Sequence, residues 1–164
     1  MAVDMFLKLE GIKGESKDDK HKDEIHIESF SWGVTQQGGF NVGGGGGAGK
    51  VNVHDISISK YLDKSSALLM SHCCTGKHIK EVTVEFCRAG GDKVKYMEVK
   101  MEQVLISKVE ESGASTGDSG FPSEKIALSY GKIKWTYTQQ KREDGTGGGN
   151  VSAGWDLTAN KTIA

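Results

Sequence analysis

Apolar residues recur at every second position through much of this chain, and in three places that recurrence changes parity. Val3, Met5, Leu7 and Leu9 alternate with Asp4 and Lys8; Val82, Val84 and Phe86 with Thr83 and Glu85; Met97, Val99 and Met101 with Glu98, Lys100 and Glu102. Period two places one set of side chains on one face of an extended backbone, so these segments are half-buried strands. The parity flips where Ile25 and Ile27 give way to Phe30, Trp32 and Val34. It flips again where Val51 and Val53 give way to Ile56 and Ile58, and where Ile126, Leu128 and Tyr130 give way to Ile133, Trp135 and Tyr137. A slip of one residue sends the apolar set to the opposite face, so each flip predicts a bulge or a corner at which a strand passes between sheets. The stretch 94–109 would span roughly 50 Å if extended, longer than an ordinary strand, and is predicted to bend or to serve two sheets. These features predict an all-β barrel or closed sandwich.

One short helix is expected beside it. Asp63 is placed to accept from the open amides of a first turn, and Ser66, Leu69, Met70 and Cys73 share one face. Gly76 supplies a left-handed stop. Three segments are loops by composition. The stretch 14–24 is charged and is expected to be a solvated turn, with His21 and His26 at its border in water. The stretch 112–123 is rich in Ser and Gly, and 142–150 leads to a last short strand near Trp155 and Leu157. At 164 residues the chain suits one domain, residues 1–164.

Charge excludes one class of partner. Twenty-one basic and 22 acidic residues give a net charge of -1, spread along the chain, so no basic face is expected to release counterions from nucleic acid. Asp4, Lys8 and Glu10 break the apolar run a signal peptide requires, and no later stretch is apolar for long enough to span a bilayer as a helix. Cys73, Cys74 and Cys87 are odd in number and two are adjacent, which suits reduced thiols in a cytoplasm.

The glycine-rich segment imitates a nucleotide site. Gly44, Gly49 and Lys50 satisfy G-x-x-x-x-G-K, but Val51 stands where a P-loop needs a magnesium-binding hydroxyl. The β pattern of Val51, Val53, Ile56 and Ile58 follows where that loop needs a helix. Gly43, Gly44, Gly45, Gly46, Gly47, Ala48, Gly49 and Lys50 are therefore expected to form an inter-strand loop. The thirteen residues 38–50 exceed hairpin length, and glycine is costly to order. Phe40 and Val42 would leave apolar surface in water unless they dock on a neighbouring subunit or fold back on the barrel.

Other sets fall short of chemistry. His72, Cys73, Cys74 and His78 contain ligand types, yet adjacent helical cysteines point about 100° apart, so no metal site is expected there. His54 and Asp55 are strand neighbours facing opposite ways. Trp32, Trp135 and Trp155 lie in or beside apolar patterns and are expected in the core, although stacking on sugars is the use a glycan-binding module would make of them. The expectation is no enzyme, no cofactor and no metal.

Five segments, in order, carry a resemblance that covers nearly the whole chain: MAVDMFLKLEGIKGE at 1–15, FSWG at 30–33, GGGGGAGKVNV at 43–53, YLDKS at 61–65 and GWD at 154–156. Together they resemble the hemolysin-coregulated protein (Hcp) family of the bacterial type VI secretion system. The resemblance implies a small β-barrel with a helix, similar in fold to phage tail-tube proteins and assembled into hexameric rings. It implies an inner tube stacked under a VgrG-type spike inside a contractile sheath, held in the cytoplasm before firing and then expelled. It further implies that small effectors ride in the lumen and are shielded there, that Ser31 faces the lumen, and that the loop from Gly43 to Lys50 contacts adjacent subunits or rings. Some relatives carry toxin extensions; the sequence runs to Ala164, shortly past the Trp155 strand, and no enzymatic extension is expected.

Overall fold

The computed structural model describes residues 3–38, 49–89, 94–115, 120–140 and 147–163. In chain order the elements are β1 (Val3–Leu9), β2 (Ile25–Ile27), β3 (Ser29–Ser31), β4 (Val34–Thr35), β5 (Asn52–Val53), β6 (Ile56–Tyr61), α1 (Ser66–Thr75), β7 (Ile79–Arg88), β8 (Lys95–Ser112), β9 (Ser123–Gln140), β10 (Gly147–Asp156) and β11 (Lys161–Ile163). The main sheet runs β11-β10-β9-β8-β7-β1-β2, with β6 joining β3 to the first half of β9. All of these pairings are antiparallel. The Glu28 amide donates to the Ser59 carbonyl at 2.8 Å, which carries the end of β2 onto β6 and closes the circuit into a barrel.

Each parity flip is a change of partner. β2 pairs with β1, and one residue later β3 pairs with β6. β5 belongs to a separate two-stranded ribbon with β4, whereas β6 re-enters the barrel. β9 pairs with β6 through Leu128 and with β10 from Lys132 onward. The third flip falls at Gly131, opposite Gln103 of β8, whose φ of 56° is left-handed. A Cβ on Gly131 would meet the Gln103 Oε1 at 2.5 Å, so the long β8–β9 pair turns its corner where one strand has no side chain to obstruct it. The strand that holds Trp155, β10, begins at Gly147, well before the predicted position near Trp155, because pairing with β9 holds the glycine-rich stretch extended, and a further short strand, β11, follows it.

Inward positions from β1, β2, β6, β7, β8 and β9 form the core, among them Leu7, Ile27, Ile58, Val84, Met101, Ile106, Ile126, Leu128 and Ile133. Trp32, Trp135 and Trp155 pack partly buried against it, as predicted. Gly154 sits so close to β11 that a Cβ would lie 2.6 Å from Ile163 Cγ1. The Asp156 carboxylate accepts from the Thr158 hydroxyl and from the Thr158 and Ala159 amides, bonds that hold its pKa below the ordinary value and shape the turn into β11.

Helix α1 departs from its predicted cap and face. Ser65, not Asp63, is the cap residue, and the Asp63 carboxylate instead receives the Ser65 amide at 2.9 Å and the Ser65 hydroxyl. Gly76, at φ 67°, ends the helix as expected. Leu69 is fully buried and Cys73 touches the core, but Met70 is exposed. Beneath the helix start lies Lys60, its side chain wholly buried. Its ammonium reaches Asp63 Oδ1 at 3.0 Å, Ser66 Oγ at 3.3 Å, the Tyr61 carbonyl at 3.1 Å and Glu124 Oε1 at 3.2 Å. Across the ladder Glu111 stands opposite Glu124. Apart from the ion pair with Lys60, neither Glu124 oxygen receives a hydrogen bond. Burial, followed by the side-chain interaction with Glu124 and its charge, pushes the Glu111 carboxyl up to about 7, with Lys60 opposing.

Two outcomes follow for stability. Leu69→Ala lowers the unfolding free energy by about 2–5 kcal/mol, whereas Met70→Ala changes it by less than about 0.5 kcal/mol, compared by urea denaturation. Between the ordinary value of 4.5 and about 7, folded Glu111 holds a proton that the unfolded chain has lost, so its contribution to stability falls as pH rises through that window. Glu111→Gln should therefore gain in melting temperature relative to the native chain on going from pH 5 to pH 8; an unchanged difference refutes the raised Glu111 carboxyl.

Candidate functional site: a serine-faced wall and the stem of the glycine loop

Inward residues on β3, β6, β9 and β8 leave the alternate residues to face out, and register aligns them in rows. Ser31 lies opposite Ser57, Ser57 opposite Ala127, and Ala127 opposite Lys108. One step along, Ser29 pairs with Ser59, Ser59 with Lys125, and Lys125 with Glu110. The result is a wall of small hydroxyl-bearing side chains with charge at one margin, where Lys108 and Glu110 form an exposed pair at 3.1 Å. A bulge at Ser107, whose hydroxyl donates to Asp55 Oδ2 at 2.7 Å, bends β8 beside it. Such a surface is a wettable, open concavity in which hydroxyl and ammonium groups outnumber the apolar side chains of Phe30, Ile58 and Ile126. Ser31, the predicted contact residue, is exposed within it. Its companions Ser29, Ser57, Ser59, Ala127, Lys108 and Lys125 escaped sequence reasoning, although alternation of Ile56 and Ile58 with Ser57 and Ser59 carried the signal.

The glycine-rich segment springs from the ribbon of β4 and β5, in which Val34 pairs with Val53 and Thr35 with Asn52. Two side chains and the His54 backbone tie this ribbon to the barrel. Trp32 Nε1 donates to the Tyr130 hydroxyl at 2.5 Å, Tyr130 donates to the His54 carbonyl at 2.8 Å, and the His54 amide donates to the Gly33 carbonyl at 3.1 Å. Burial pushes the Tyr130 phenol up to about 12, although the Trp32 bond opposes the shift. Phe40, Val42 and residues 43–48 lie outside the described residues. Gly49 and Lys50 are exposed at the foot of the ribbon, and the residues after Lys50 enter β5, a strand where a phosphate-binding loop would continue as a helix.

Beside the stem, Phe30, Trp32, Tyr96, Met97 and Trp135 line a largely apolar cleft of about 160 Å³ at the barrel mouth. Phe30, Val34, Tyr137 and Val151 are exposed. The histidine and cysteine cluster of α1 is spread out: His72 Nδ1 bonds to the Leu68 carbonyl at 2.8 Å, Cys73 turns towards the core and Cys74 is exposed. His54 and Asp55 serve separate bonds, to Thr35 and to Ser107. His26 is exposed, as expected, but His21 is not solvated; it is buried against Phe6, with ring centroids 4.1 Å apart and planes 4° from parallel.

Residues 6–137 match the family model described as type VI secretion system effector, Hcp. The chain is 42% identical over 161 residues to Protein hcp1 of Pseudomonas aeruginosa, with 98% of each chain covered. A solved structure described as a type six secretion system protein superposes with a TM-score of 0.92 at 33% identity, covering 99% of this chain and 100% of that one. Hcp1 from Salmonella typhimurium gives a TM-score of 0.81 at 33% identity, with the same coverage.

Tyr130→Phe removes the hydroxyl that serves both Trp32 and His54, and is expected to cost about 1–3 kcal/mol. Amide exchange at residues 52–54 should accelerate more than exchange in the core of β7; equal protection would show that the tether does not hold the ribbon.

Proposed function

The chain belongs to the Hcp family of type VI secretion proteins, and from that membership we propose that it is the structural subunit of the secretion system's inner tube. Subunits close into hexameric rings, the rings stack, and the column is expelled with small effectors carried and shielded in its lumen. The full-length likeness to Protein hcp1 carries this reading. Its partners are further copies of itself, a VgrG-type spike, a contractile sheath and the effectors. It stands in the bacterial cytoplasm before firing and outside the cell afterwards. The role is mechanical and protective, with no reaction to catalyse.

Local physical features support the assignment. A lumen that accepts varied cargo needs a wall that hydrogen-bonds weakly and lacks deep apolar grip, and the serine rows around Ser31 have that chemistry. Exposed Phe30, Val34, Tyr137 and Val151 offer apolar surface to further copies. The segment from Gly43 to Lys50, with Phe40 and Val42 before it, lies in the chain between the two strands of a tethered ribbon and is the proposed contact to the neighbouring subunit or ring.

Negative-stain images and light scattering should show closed rings of one diameter; a monodisperse monomer at high concentration would refute the tube. Phe40→Asp or Val42→Asp should weaken ring stacking while leaving the barrel folded by circular dichroism. Ser31→Gln should reduce co-purification of an effector several-fold without altering ring diameter. Unchanged capture would remove Ser31 from the cargo surface.

A further inference from the structure

Outside the main core, β7 presents Glu85 and Cys87, two residues apart on one face, beneath the loop that joins β1 to β2. That loop is charged, yet it turns one side chain inward: His21 lies flat on Phe6 and is 5% exposed. Backbone bonds from Gly14 to the Asp23 carbonyl at 2.7 Å and from Asp23 to the Ser16 carbonyl at 2.9 Å fix the turn that delivers it. One atom each of His21, Glu85 and Cys87 lie within 4.8 Å of one another. We propose that His21, Glu85 and Cys87 form a site for a thiophilic divalent cation, zinc by its ligand types, which clasps the 14–24 loop to β7.

The ring is already arranged as a metal ligand's would be. His21 Nδ1 is 2.7 Å from Glu24 Oε2 and 3.3 Å from Glu85 Oε2, so the Nδ1 proton is held by carboxylate and the Nε2 lone pair is directed at Cys87. A histidine that donates its other N–H to a carboxylate is the usual outer shell of a zinc site. Nε2 and the Cys87 sulfur are 3.6 Å apart. Zn–S of about 2.3 Å and Zn–N of about 2.0–2.1 Å at a tetrahedral angle require about 3.5 Å between them. Glu85, partly buried with its carboxylate now on the Nδ1 side of the ring, completes the set by turning its side chain towards Cys87, and solvent supplies a fourth ligand. On binding, the thiol proton leaves to solvent and Cys87 binds as thiolate. Two anionic ligands then neutralise the dication, and Lys95, 3.7 Å from Glu85 Oε1, keeps its bond to Glu98. Nothing in the sequence brings these residues together, since His21 and Cys87 stand 66 positions apart.

The test uses the full chain carrying Cys73→Ser and Cys74→Ser, which leaves Cys87 as the one thiol, titrated with cobalt(II) alone and then with zinc. One equivalent of cobalt per chain should produce a thiolate-to-cobalt charge-transfer band in the near ultraviolet that zinc abolishes. Absence of the band overturns the site and leaves a thiol–imidazole contact that fastens the loop without metal. Glu24→Gln keeps all three ligands but frees the ring, and should weaken cobalt affinity about 10- to 100-fold; unchanged affinity overturns the ring's assigned orientation. His21→Gln, folded by circular dichroism, should abolish the band, and a band that persists overturns the assignment of His21.

Discussion

Two strands of 18 residues, β8 and β9, are paired along almost their whole lengths, and the other elements take their places from that pair. The first half of β9 is long enough to hold β6, the second to hold β10, and the first half of β8 holds β7. One long hairpin thus belongs to the barrel at one end and to the outlying β10–β11 flap at the other. It does so where Gly131 faces Gln103 without a Cβ of its own, and where the Ser107 bulge lets β8 gain a residue on β9. A straight pair of this length would leave a flat sheet with no route to closure.

Much of this was legible because period-two patterning reports which face is buried and a change of parity reports where that face changes. All three flips coincide with a change of pairing partner, at Glu28, between β5 and β6, and at Gly131. The failures share a cause. Lys60 and Glu124 sit at inward positions of their strands, yet as charged types they are expected in water; only their mutual placement, with Asp63 and Ser66, makes burial tolerable. The charged neighbours of His21 predict a solvated ring, although a single side chain of a polar loop is free to turn inward where an aromatic face awaits it. Met70 shares a helical stripe with Leu69, but α1 rests on the barrel by a narrower line of contact than the stripe allows.

The candidate wall was visible in only one of its residues. The FSWG resemblance points to Ser31, whereas Ser57 and Ser59 belong to the same surface by strand pairing alone. Pairing partners are a long-range property, and short polar side chains carry little pattern of their own. The family segments acquire separate physical meanings in the structure: Trp32 of FSWG tethers the ribbon through Tyr130, Asp63 of YLDKS joins the helix to a buried ammonium, and Asp156 of GWD closes the turn into β11. None of these is a catalytic arrangement; each fixes the relative position of two pieces of barrel.

The flap ends on β11, an outer strand of three residues that starts with exposed Lys161. A strand so short offers few unpaired backbone groups, and a lysine at its start must lose hydration before another strand can lie against it. For a protein proposed to meet many copies of itself at close quarters, this is a safeguard against the wrong kind of polymer. The proposed contacts between copies would then fall to side-chain surfaces, with edge-to-edge growth of the sheet disfavoured at β11.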